Sequence, residues 1–458
     1  MTFPEEFIKR ITSQETIDPA SLLDALSAPP PVSIRLNPYK WKLKPAGAQQ
    51  VSWCSDGWYL EKRPSFTLDP LFQAGCYYPQ EASSMFTGEV FRQLADDRKD
   101  LRVLDLCGAP GGKSTHISSL LGDRGVLISN EVIRQRAGVL ASNITKWGIP
   151  NTIVTCDDPV SFSFLGSYFD IIIVDAPCSG EGMFRDEIAR NEWSTANTQL
   201  CSERQRRIVM DIWPALKPGG YLVYSTCTFN PAENEENIKW MSEQAGARSL
   251  RLDISGFTGI REIACNNVTG YGFHPGRING DGFFISVLRK DDGPESAPRK
   301  INGRRDQRAV RNDSFSKLLN SEVPFIMSEG ENHFAIPVRQ DEFSLLKSGL
   351  NIVKRGTLLG QVKGNDLVPD HELAVSLLVN YNAIPSVELD YTSALAFLRR
   401  DNITLNDVPA GWVIAKYRGT GIGLFKNIGK RINNYFPVGL RVRMEAGKGE
   451  ETIIRWED

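Results

Sequence analysis

The sequence predicts an α/β protein built on a doubly wound parallel sheet. Between about residues 76 and 290, short apolar runs alternate with helical patterns, as they do in βαβ units. Two of these runs, Ile171–Val174 and Tyr221–Tyr224, contain no charged residue and are typical of parallel strands covered on both faces. A cysteine follows each run closely, so two thiols are expected at the carboxyl edge of the sheet, where open α/β sheets bind ligands.

The predicted elements follow one another in the order that such a sheet requires. Runs rich in apolar or β-branched residues indicate the strands. These strands begin at Arg102, Gly125, Thr152, Ile171, Tyr221 and Phe283. The helices between them are predicted at Lys113–Leu121, Val132–Trp147 and Glu203–Leu216, and from Pro231 onward behind the N-cap Asn230.

Proline-rich and charged segments divide the chain into five parts. A helical pattern, the break Ala28–Pro31 and the alternating strand Val32–Pro38 indicate an N-terminal α+β subdomain. Many charges and almost nothing apolar indicate a linker after the sheet. The predicted parts are the N-terminal subdomain (1–75), the sheet domain (76–290), the linker (291–313), a small intermediate α+β domain (314–380) and a C-terminal domain (381–458).

The composition excludes several classes of protein. The 458 residues are 41% hydrophobic and 24% charged with a formal net charge of −2, which is ordinary for a globular protein and unlike a polycation. The eight cysteines include no C-x-x-C pair and only four histidines accompany them, so we expect no metal site. The start lacks the pattern of a secretion signal, and no apolar run approaches the ~20 residues of a membrane span. We expect a cytoplasmic monomer with reduced thiols and no membrane contact.

A glycine-rich loop after the first strand of the sheet is the candidate ligand-binding loop. It consists of Cys107, Gly108, Ala109, Pro110, Gly111, Gly112 and Lys113. Glycines let a backbone approach a ligand, and the N-terminus of the next helix favours negative charge. The pattern G-x-x-x-x-G-K-[ST] fails because Cys107 stands where glycine is required, and G-x-G-x-x-G is absent. A tight turn without a ligand is the alternative.

Two acidic residues at the ends of the next two strands indicate the kind of ligand. Glu131 ends the second strand, twenty residues after Gly111, where Rossmann-like folds place the carboxylate that binds a ribose diol. Asp157 ends the third strand, where a carboxylate can accept a hydrogen bond from an adenine amino group. Together with the glycine-rich loop, these residues indicate a site for an adenosine-containing ligand, and the ligand need not contain a pyrophosphate group. S-adenosylmethionine fits this description better than NAD.

Two cysteines and an aspartate at the strand ends predict a particular reaction. Cytosine C5 is a poor nucleophile, and addition of a thiolate to C6 enables C5 to attack an electrophilic methyl group. A carboxyl group beside N3 and N4 assists the addition, and a second thiol can assist the final elimination. Asp175, Cys178 and Cys227 supply this set. Their spacing does not decide which cysteine attacks.

Six motifs in residues 76–290 carry a family resemblance. They are Tyr78-x-Gln80-Glu81-Ala82-Ser83-Ser84, Asp105-x-Cys107-Gly108-Ala109-Pro110-Gly111-Gly112-Lys113, Asn130-Glu131, Asp175-Ala176-Pro177-Cys178-Ser179-Gly180-Glu181-Gly182, Tyr224-Ser225-Thr226-Cys227-Thr228 and Gly280-Asp281-Gly282-Phe283-Phe284. This set resembles the Sun group of RNA cytosine-5 methyltransferases, which use S-adenosylmethionine on a Rossmann-like sheet. The resemblance implies that Cys227 is the nucleophile and that Cys178 assists release. DNA cytosine methyltransferases attack with the cysteine of their P-C motif, so the reverse assignment stays open. We expect Lys113 to lie near the active site.

A second set of motifs lies in the C-terminal part. It includes Gly356-x-x-Leu359-Gly360-x-x-Lys363, Pro369-x-His371-x-Leu373-Ala374 and Asn434-Tyr435-Phe436-Pro437. These motifs are similar to those of the RsmF-type bacterial enzymes that methylate 16S rRNA. The similarity implies a PUA-like RNA-binding domain at the C-terminus and 16S rRNA, or the small ribosomal subunit, as the partner. A tRNA cytosine-5 methyltransferase and a non-catalytic RNA-binding assembly factor are the alternatives.

Local charge agrees with an RNA partner. Between Val408 and Met444 there are seven Lys or Arg and no Asp or Glu, with aromatic residues among them. That composition suits phosphate contacts combined with base stacking. Arg35 and Lys40–Lys44 make a weaker basic patch, and residues 1–75 are expected to form an RNA-recognition subdomain.

Overall fold

The computed structural model of the chain describes residues 2–299, 313–364, 366–405, 407–445 and 452–457. These residues form one ten-stranded sheet and three four-stranded sheets. Helices accompany every sheet, so the predicted α/β class is confirmed. Most of the predicted linker, residues 300–312, lies outside the described residues.

The N-terminal region combines three helices with a four-stranded sheet. Its elements are α1 (Glu5–Thr12), α2 (Pro19–Ser27), β1 (Val32–Leu36), β2 (Gln49–Gln50), β3 (Gly57–Leu60), α3 (Pro70–Gln73) and β4 (Tyr77–Pro79). The sheet has the order β2-β3-β1-β4, and β1 is antiparallel to both neighbours. Because β4 belongs to this sheet, the N-terminal fold extends past the boundary expected at residue 75.

The large sheet follows in the chain. Its part of the sequence contains α4 (Phe86–Ala95), β5 (Leu101–Asp105), α5 (Gly112–Leu121), β6 (Gly125–Asn130), α6 (Arg134–Trp147), β7 (Thr152–Thr155), β8 (Phe169–Asp175), α7 (Glu187–Glu192), α8 (Thr195–Ile212), β9 (Leu216–Thr226), α9 (Glu235–Ala245), β10 (Ala247–Leu250), β11 (Arg261–Cys265), β12 (Val268–Phe273) and β13 (Phe283–Lys290). Strands β7, β6, β5, β8 and β9 lie side by side and are parallel. The antiparallel strands β13, β12 and β11 continue the sheet beyond β9.

The middle of the sheet is covered on both faces. In β8, Ile172 and Val174 belong to one apolar cluster, whereas Ile171 and Ile173 belong to the cluster on the opposite face. All four side chains are fully buried. The uninterrupted apolar run in the sequence therefore reflects a strand with no solvent-facing side.

Two helices begin several residues away from the expected position. Helix α8 starts earlier, at Thr195, because the Ser194 hydroxyl accepts a hydrogen bond from the N–H of Asn197 and caps it. Helix α9 starts at Glu235 and not at Pro231. The intervening residues turn instead, and the carboxylate of Glu233 thereby reaches the N–H of Ser179.

Two further sheets are formed after the linker. Their elements are β14 (Phe325–Glu329), β15 (Asn332–Ile336), α10 (Gln340–Gly349), β16 (Ile352–Lys354), β17 (Thr357–Lys363), β18 (Asp366–Pro369), α11 (His371–Val375), β19 (Ser386–Glu388), α12 (Tyr391–Arg399), β20 (Gly411–Tyr417), β21 (Thr420–Asn427) and β22 (Ile432–Asn434). The sheets have the orders β14-β15-β17-β18 and β19-β20-β21-β22. Strand β16 joins neither, because it pairs antiparallel with β7 and becomes the tenth strand of the large sheet.

The two ends of the chain share one apolar cluster. Trp41 from the N-terminal region lies 5.2 Å from Trp456, measured between ring centres, and Tyr77 lies 5.7 Å from the same ring. Phe397 and Phe425 of the C-terminal sheet belong to this cluster as well. The N-terminal region is thus the base on which the C-terminal domain packs.

One lysine connects three regions of the chain. Lys40 Nζ donates to the carbonyl oxygens of Ala74 at 2.8 Å, Lys146 at 2.7 Å and Val375 at 2.6 Å. These carbonyls belong to the N-terminal region, to α6 of the large sheet and to α11. An ammonium group has three donors, so all three are used.

None of the helices in the described residues is long and apolar enough to cross a bilayer. In the same residues, no cluster of three or more His, Cys, Asp or Glu side chains is arranged to hold a metal ion.

We predict that Lys40→Met lowers the melting temperature by about 5 °C or more, because three partly buried carbonyls lose a charged donor. Differential scanning calorimetry measures the shift. Lys44→Met is the matched control: Lys44 is exposed and pairs with exposed Glu457, so its loss should change little. Equal shifts in the two variants would contradict the connecting role of Lys40.

Candidate active site

The carboxyl ends of β8 and β9 bring two cysteines together. Asp175 at the end of β8 is in register with Ser225 of β9. Cys178 and Cys227 follow in the loops, and their Sγ atoms lie 3.0 Å apart although 49 residues separate them in sequence. The N–H of Cys227 also donates to Cys178 Sγ at 3.3 Å. Both thiols therefore lie at the same edge of the sheet.

The contact between the thiols affects the protonation of Cys178. The pKa of Cys178 is raised well above the usual range. The largest cause is the hydrogen bond with Cys227, and the second is burial. Cys178 therefore keeps its proton at neutral pH and can donate it in a hydrogen bond to Cys227 Sγ. A protonated thiol is a weak nucleophile, whereas a thiolate that accepts a hydrogen bond is stabilised.

A buried glutamate joins the two cysteine loops. Glu233 accepts hydrogen bonds from the N–H of Ser179 at 2.9 Å and from its hydroxyl at 2.5 Å. Gln205 Nε2 donates to the same carboxylate at 3.0 Å. Burial raises the pKa of Glu233 to about 7. Sequence reasoning missed this residue, since nothing in the sequence distinguishes it from the nearby Glu235 and Glu236.

A second glutamate connects the loops to the N-terminal region. Glu181 accepts from Arg10 Nη2 at 2.5 Å, from Trp193 Nε1 at 3.0 Å and from the N–H of Phe229 at 3.2 Å. The next residue, Gly182, donates its N–H to the carbonyl of Cys227 at 2.9 Å. The backbone around Cys227 is therefore held by the loop that carries Cys178.

Lys113 and Asp175 form an ion pair beside the thiols. Lys113 Nζ lies 2.8 Å from Asp175 Oδ2, and the Ser225 hydroxyl donates to Asp175 Oδ1 at 2.7 Å. Burial opposes a charge on Lys113, but the Asp175 carboxylate outweighs it and raises the pKa of the lysine. The ring of Phe283 covers the ammonium group at 5.1 Å. The Asp175 carboxylate thus favours the charged form of Lys113.

The glycine-rich loop borders a small cavity. Gly111 has a φ of +121°, a conformation that side chains disfavour, and α5 begins at Gly112. The cavity has a volume of about 180 Å³. Predicted site residues on its wall are Cys107, Gly108, Ala109, Pro110, Gly112, Lys113 and Asp175. The rest of the wall comes from Tyr78, Pro79, Gln80, Glu81 and Ser84, to which the sequence motif gave no role.

A buried carboxylate near the loop lacks part of its hydrogen bonding. Asp105 Oδ2 accepts from the Ser114 hydroxyl at 2.6 Å, but Asp105 Oδ1 has no partner among the described residues. Burial raises the pKa of Asp105 to about 6, and the Asp175 carboxylate adds to the effect. A buried oxygen without a donor fits a site that is completed by a ligand with N–H groups or positive charge.

Glu131 and Asp157 lie at the ends of β6 and β7 and are buried. Neither is among the described residues that line the 180 Å³ cavity. Glu131 accepts from the N–H of Ile133 at 3.0 Å and pairs with Arg136 at 3.3 Å. Asp157 accepts two hydrogen bonds from Asn351, a residue far away in the sequence. Both carboxylates therefore lie at the carboxyl edge of the sheet, outside the wall of that cavity.

Three family models match separate parts of the chain. Residues 92–289 match 16S rRNA methyltransferase RsmB/F, residues 3–82 match the N-terminal domain of 16S rRNA methyltransferase RsmF, and residues 384–442 match the methyltransferase RsmF PUA domain. Together with the fold, these matches indicate a methyltransferase of the RsmB/F class.

Sequence relatives narrow this class. Over an alignment of 477 positions, the chain is 31% identical to ribosomal RNA small subunit methyltransferase F of Enterobacter sp. (strain 638), covering 95% of each protein. It is 29% identical to the protein of that name from Shewanella loihica, covering 88% of this chain and 84% of the relative. The chain belongs to the family of ribosomal RNA small subunit methyltransferase F.

Solved structures agree with the fold. A methyltransferase homolog protein from Pyrococcus horikoshii is 27% identical, with a TM-score of 0.54 over 63% of this chain and 95% of that one. NSun6 from the same organism, solved with the S-adenosylmethionine analogue SFG, is 22% identical, with a TM-score of 0.52 over 64% of this chain and 99% of that one.

We predict that Cys178 reacts with iodoacetamide about tenfold or more slowly than free cysteine at pH 8, because its raised pKa leaves little thiolate. Cys227→Ala removes the main cause of that shift, so the pKa of Cys178 should fall and its alkylation should accelerate. Mass spectrometry of tryptic peptides measures both rates. An unchanged rate in the variant would contradict the assigned cause.

Proposed function

We propose that this protein transfers a methyl group from S-adenosylmethionine to C5 of a cytosine in 16S rRNA. Catalysis proceeds through a covalent bond between Cys227 Sγ and C6 of the base. The observation that carries the proposal is the pair of thiols 3.0 Å apart, beside the Lys113–Asp175 ion pair. The family to which the chain belongs supports both the methyl donor and the RNA substrate.

The residues around the glycine-rich loop fit S-adenosylmethionine. The loop from Cys107 to Lys113 would hold the methionine part, where Asp105 Oδ1 lacks a donor that an ammonium group supplies. Glu131 would bind the ribose and Asp157 the adenine amino group. When bound, the cofactor supplies an electrophilic methyl group.

The attacking thiol is Cys227. Its sulfur adds to C6, so that electron density moves through the ring to C5 and N3. The Asp175 carboxyl group faces N3 and N4, and the Lys113 ammonium beside it stabilises the negative charge that develops there. After methyl transfer, C5 loses its proton to a base, the C5–C6 double bond re-forms, and the bond to sulfur breaks.

The second thiol assists the last of these events. Cys178 keeps its proton at neutral pH, so it can donate a hydrogen bond to Cys227 Sγ as that sulfur leaves C6 as a thiolate. The resemblance to RNA cytosine-5 methyltransferases supports the attack by Cys227. The reverse assignment, in which Cys178 attacks, is the alternative.

The C-terminal domain offers a surface for the RNA. An open groove of about 1200 Å³ lies between the loop that follows α12 and the segment around β22, and its wall contains Arg400, Lys430 and Arg431 as well as Asp401 and Asp407. Tyr435 also lines the groove, and 44% of its surface is exposed. Cationic side chains beside an exposed aromatic ring suit single-stranded RNA. The target cytosine must leave its stack to reach Cys227, which also favours an unpaired region.

We predict that Cys227→Ala abolishes methylation of 16S rRNA and forms no adduct, because no sulfur remains to attack C6. Cys178→Ala should lose turnover and accumulate a covalent protein–RNA complex, which denaturing gel electrophoresis detects.

Cys265→Ala is the control, since Cys265 lies at the end of β11 away from the site and should leave activity unchanged. Adduct accumulation with Cys227→Ala instead would reverse the assignment.

We predict that a strain lacking the gene loses bisulfite resistance at a single cytosine of 16S rRNA. Plasmid-borne wild-type protein should restore it, and the Cys227→Ala protein should not. Bisulfite sequencing of total RNA measures this at each cytosine. Loss at a tRNA cytosine with intact 16S rRNA would point to the tRNA alternative.

A further inference from the structure

A segment from the intermediate region covers the edge of the large sheet next to the proposed cofactor site. Strand β16 pairs antiparallel with β7, the outermost parallel strand. Just before β16, the carbonyl of Asn351 accepts from the N–H of Cys156 at 2.9 Å. The segment thus follows β7 to the point where Asp157 begins the next loop.

The same segment is anchored at its other side. Glu342 of α10 accepts from Arg102 Nη2 at 2.8 Å and from the Tyr168 hydroxyl at 2.5 Å. Phe343 and Leu346 of this helix are buried in the apolar cluster that covers one face of the sheet. Helix α10 and β16 are therefore packed onto the large sheet on both sides of Asn351.

Asn351 makes two hydrogen bonds to one carboxylate. Its backbone N–H donates to Asp157 Oδ2 at 2.9 Å, and its side-chain Nδ2 donates to Asp157 Oδ1 at 2.9 Å. Two bonds to the two oxygens fix the plane of the carboxylate as well as its position. Each oxygen keeps a second lone pair, so Asp157 can still accept from a ligand.

The backbone of Asp157 is held separately. Its N–H donates to Asn130 Oδ1 at 3.0 Å, and its carbonyl accepts from Asn130 Nδ2 at 2.9 Å. Asn130 directly precedes Glu131, so this pair of bonds connects the two acidic strand ends. With the backbone fixed, the side-chain torsions of Asp157 are the freedom that remains, and Asn351 removes it.

We propose that Asn351 is a positioning residue for the cofactor, which aims the Asp157 carboxylate at the adenine amino group. The inference rests on the proposed function, because it takes Asp157 as the acceptor for that group. According to this inference, the intermediate region contributes to recognition of the adenine base through Asn351. Asn351 itself need not touch the cofactor.

The alternative is a purely structural role, in which Asn351 only stabilises the pairing of β16 with β7. The two roles differ in their dependence on the ligand. A purely structural role would affect the binding of all ligands of the site equally. A residue that positions Asp157 affects binding only when the ligand carries the amino group. S-adenosylhomocysteine and its N6-deaminated counterpart, S-inosylhomocysteine, differ in that group and test the distinction.

We predict that Asn351→Ala weakens binding of S-adenosylhomocysteine about 5- to 10-fold and leaves S-inosylhomocysteine binding unchanged. Asn351→Asp, which replaces the donor by a carboxylate of the same shape, should weaken S-adenosylhomocysteine binding further. Isothermal titration calorimetry on the full-length protein measures each dissociation constant. Because Asn351 is exposed, these variants are expected to fold.

Two control variants separate the possible failures. Asn382→Ala alters another exposed asparagine, between α11 and β19, and should change neither dissociation constant. Asp157→Ala should remove the preference for the amino-bearing ligand. If Asp157→Ala removes this preference and Asn351→Ala leaves it unchanged, the positioning role of Asn351 is wrong and the proposed function stands. If Asp157→Ala leaves the preference intact, Asp157 is not the adenine acceptor and both assignments fall. If Asn351→Ala weakens the binding of both ligands equally, Asn351 has only the structural role of holding β16 against β7.

Discussion

The parallel pairing of β8 with β9 is the constraint on which the site depends. Parallel neighbours end at the same edge of a sheet, so their following loops must meet. The register places Asp175 opposite Ser225, and from there two short loops carry Cys178 and Cys227 to a separation of 3.0 Å. Neither thiol has this environment without the other, because the hydrogen bond between them is the main cause that raises the pKa of Cys178.

Buried acids maintain that geometry around the thiols. Glu233 and Glu181 each bind backbone N–H groups of a cysteine loop, and such groups would otherwise lose their partners on burial. Arg10 supplies the countercharge for Glu181 from helix α1. The N-terminal region therefore helps to hold the cysteine loops through this ion pair.

Sequence patterns predict those parts of the structure that are determined by residues close together in the chain. The apolar run at Ile171–Val174 and the loop before α5 are local signals, and the structure has a strand and a helix start there. The contact between Asp157 and Asn351 joins residues 194 positions apart, and no local pattern marks it. Strand β16 has three residues and gains its stability from pairing with β7, so its propensity alone does not indicate which sheet it joins.

The shared cluster of Trp41, Tyr77 and Trp456 has a geometric consequence. The C-terminal domain packs on the same N-terminal region that borders the glycine-rich loop, so this region connects the groove to the cysteine loops. Under the proposed function, an RNA that contacts both must follow a path that this packing sets. Selectivity among RNAs can then arise from their ability to bend, as well as from the bases they display.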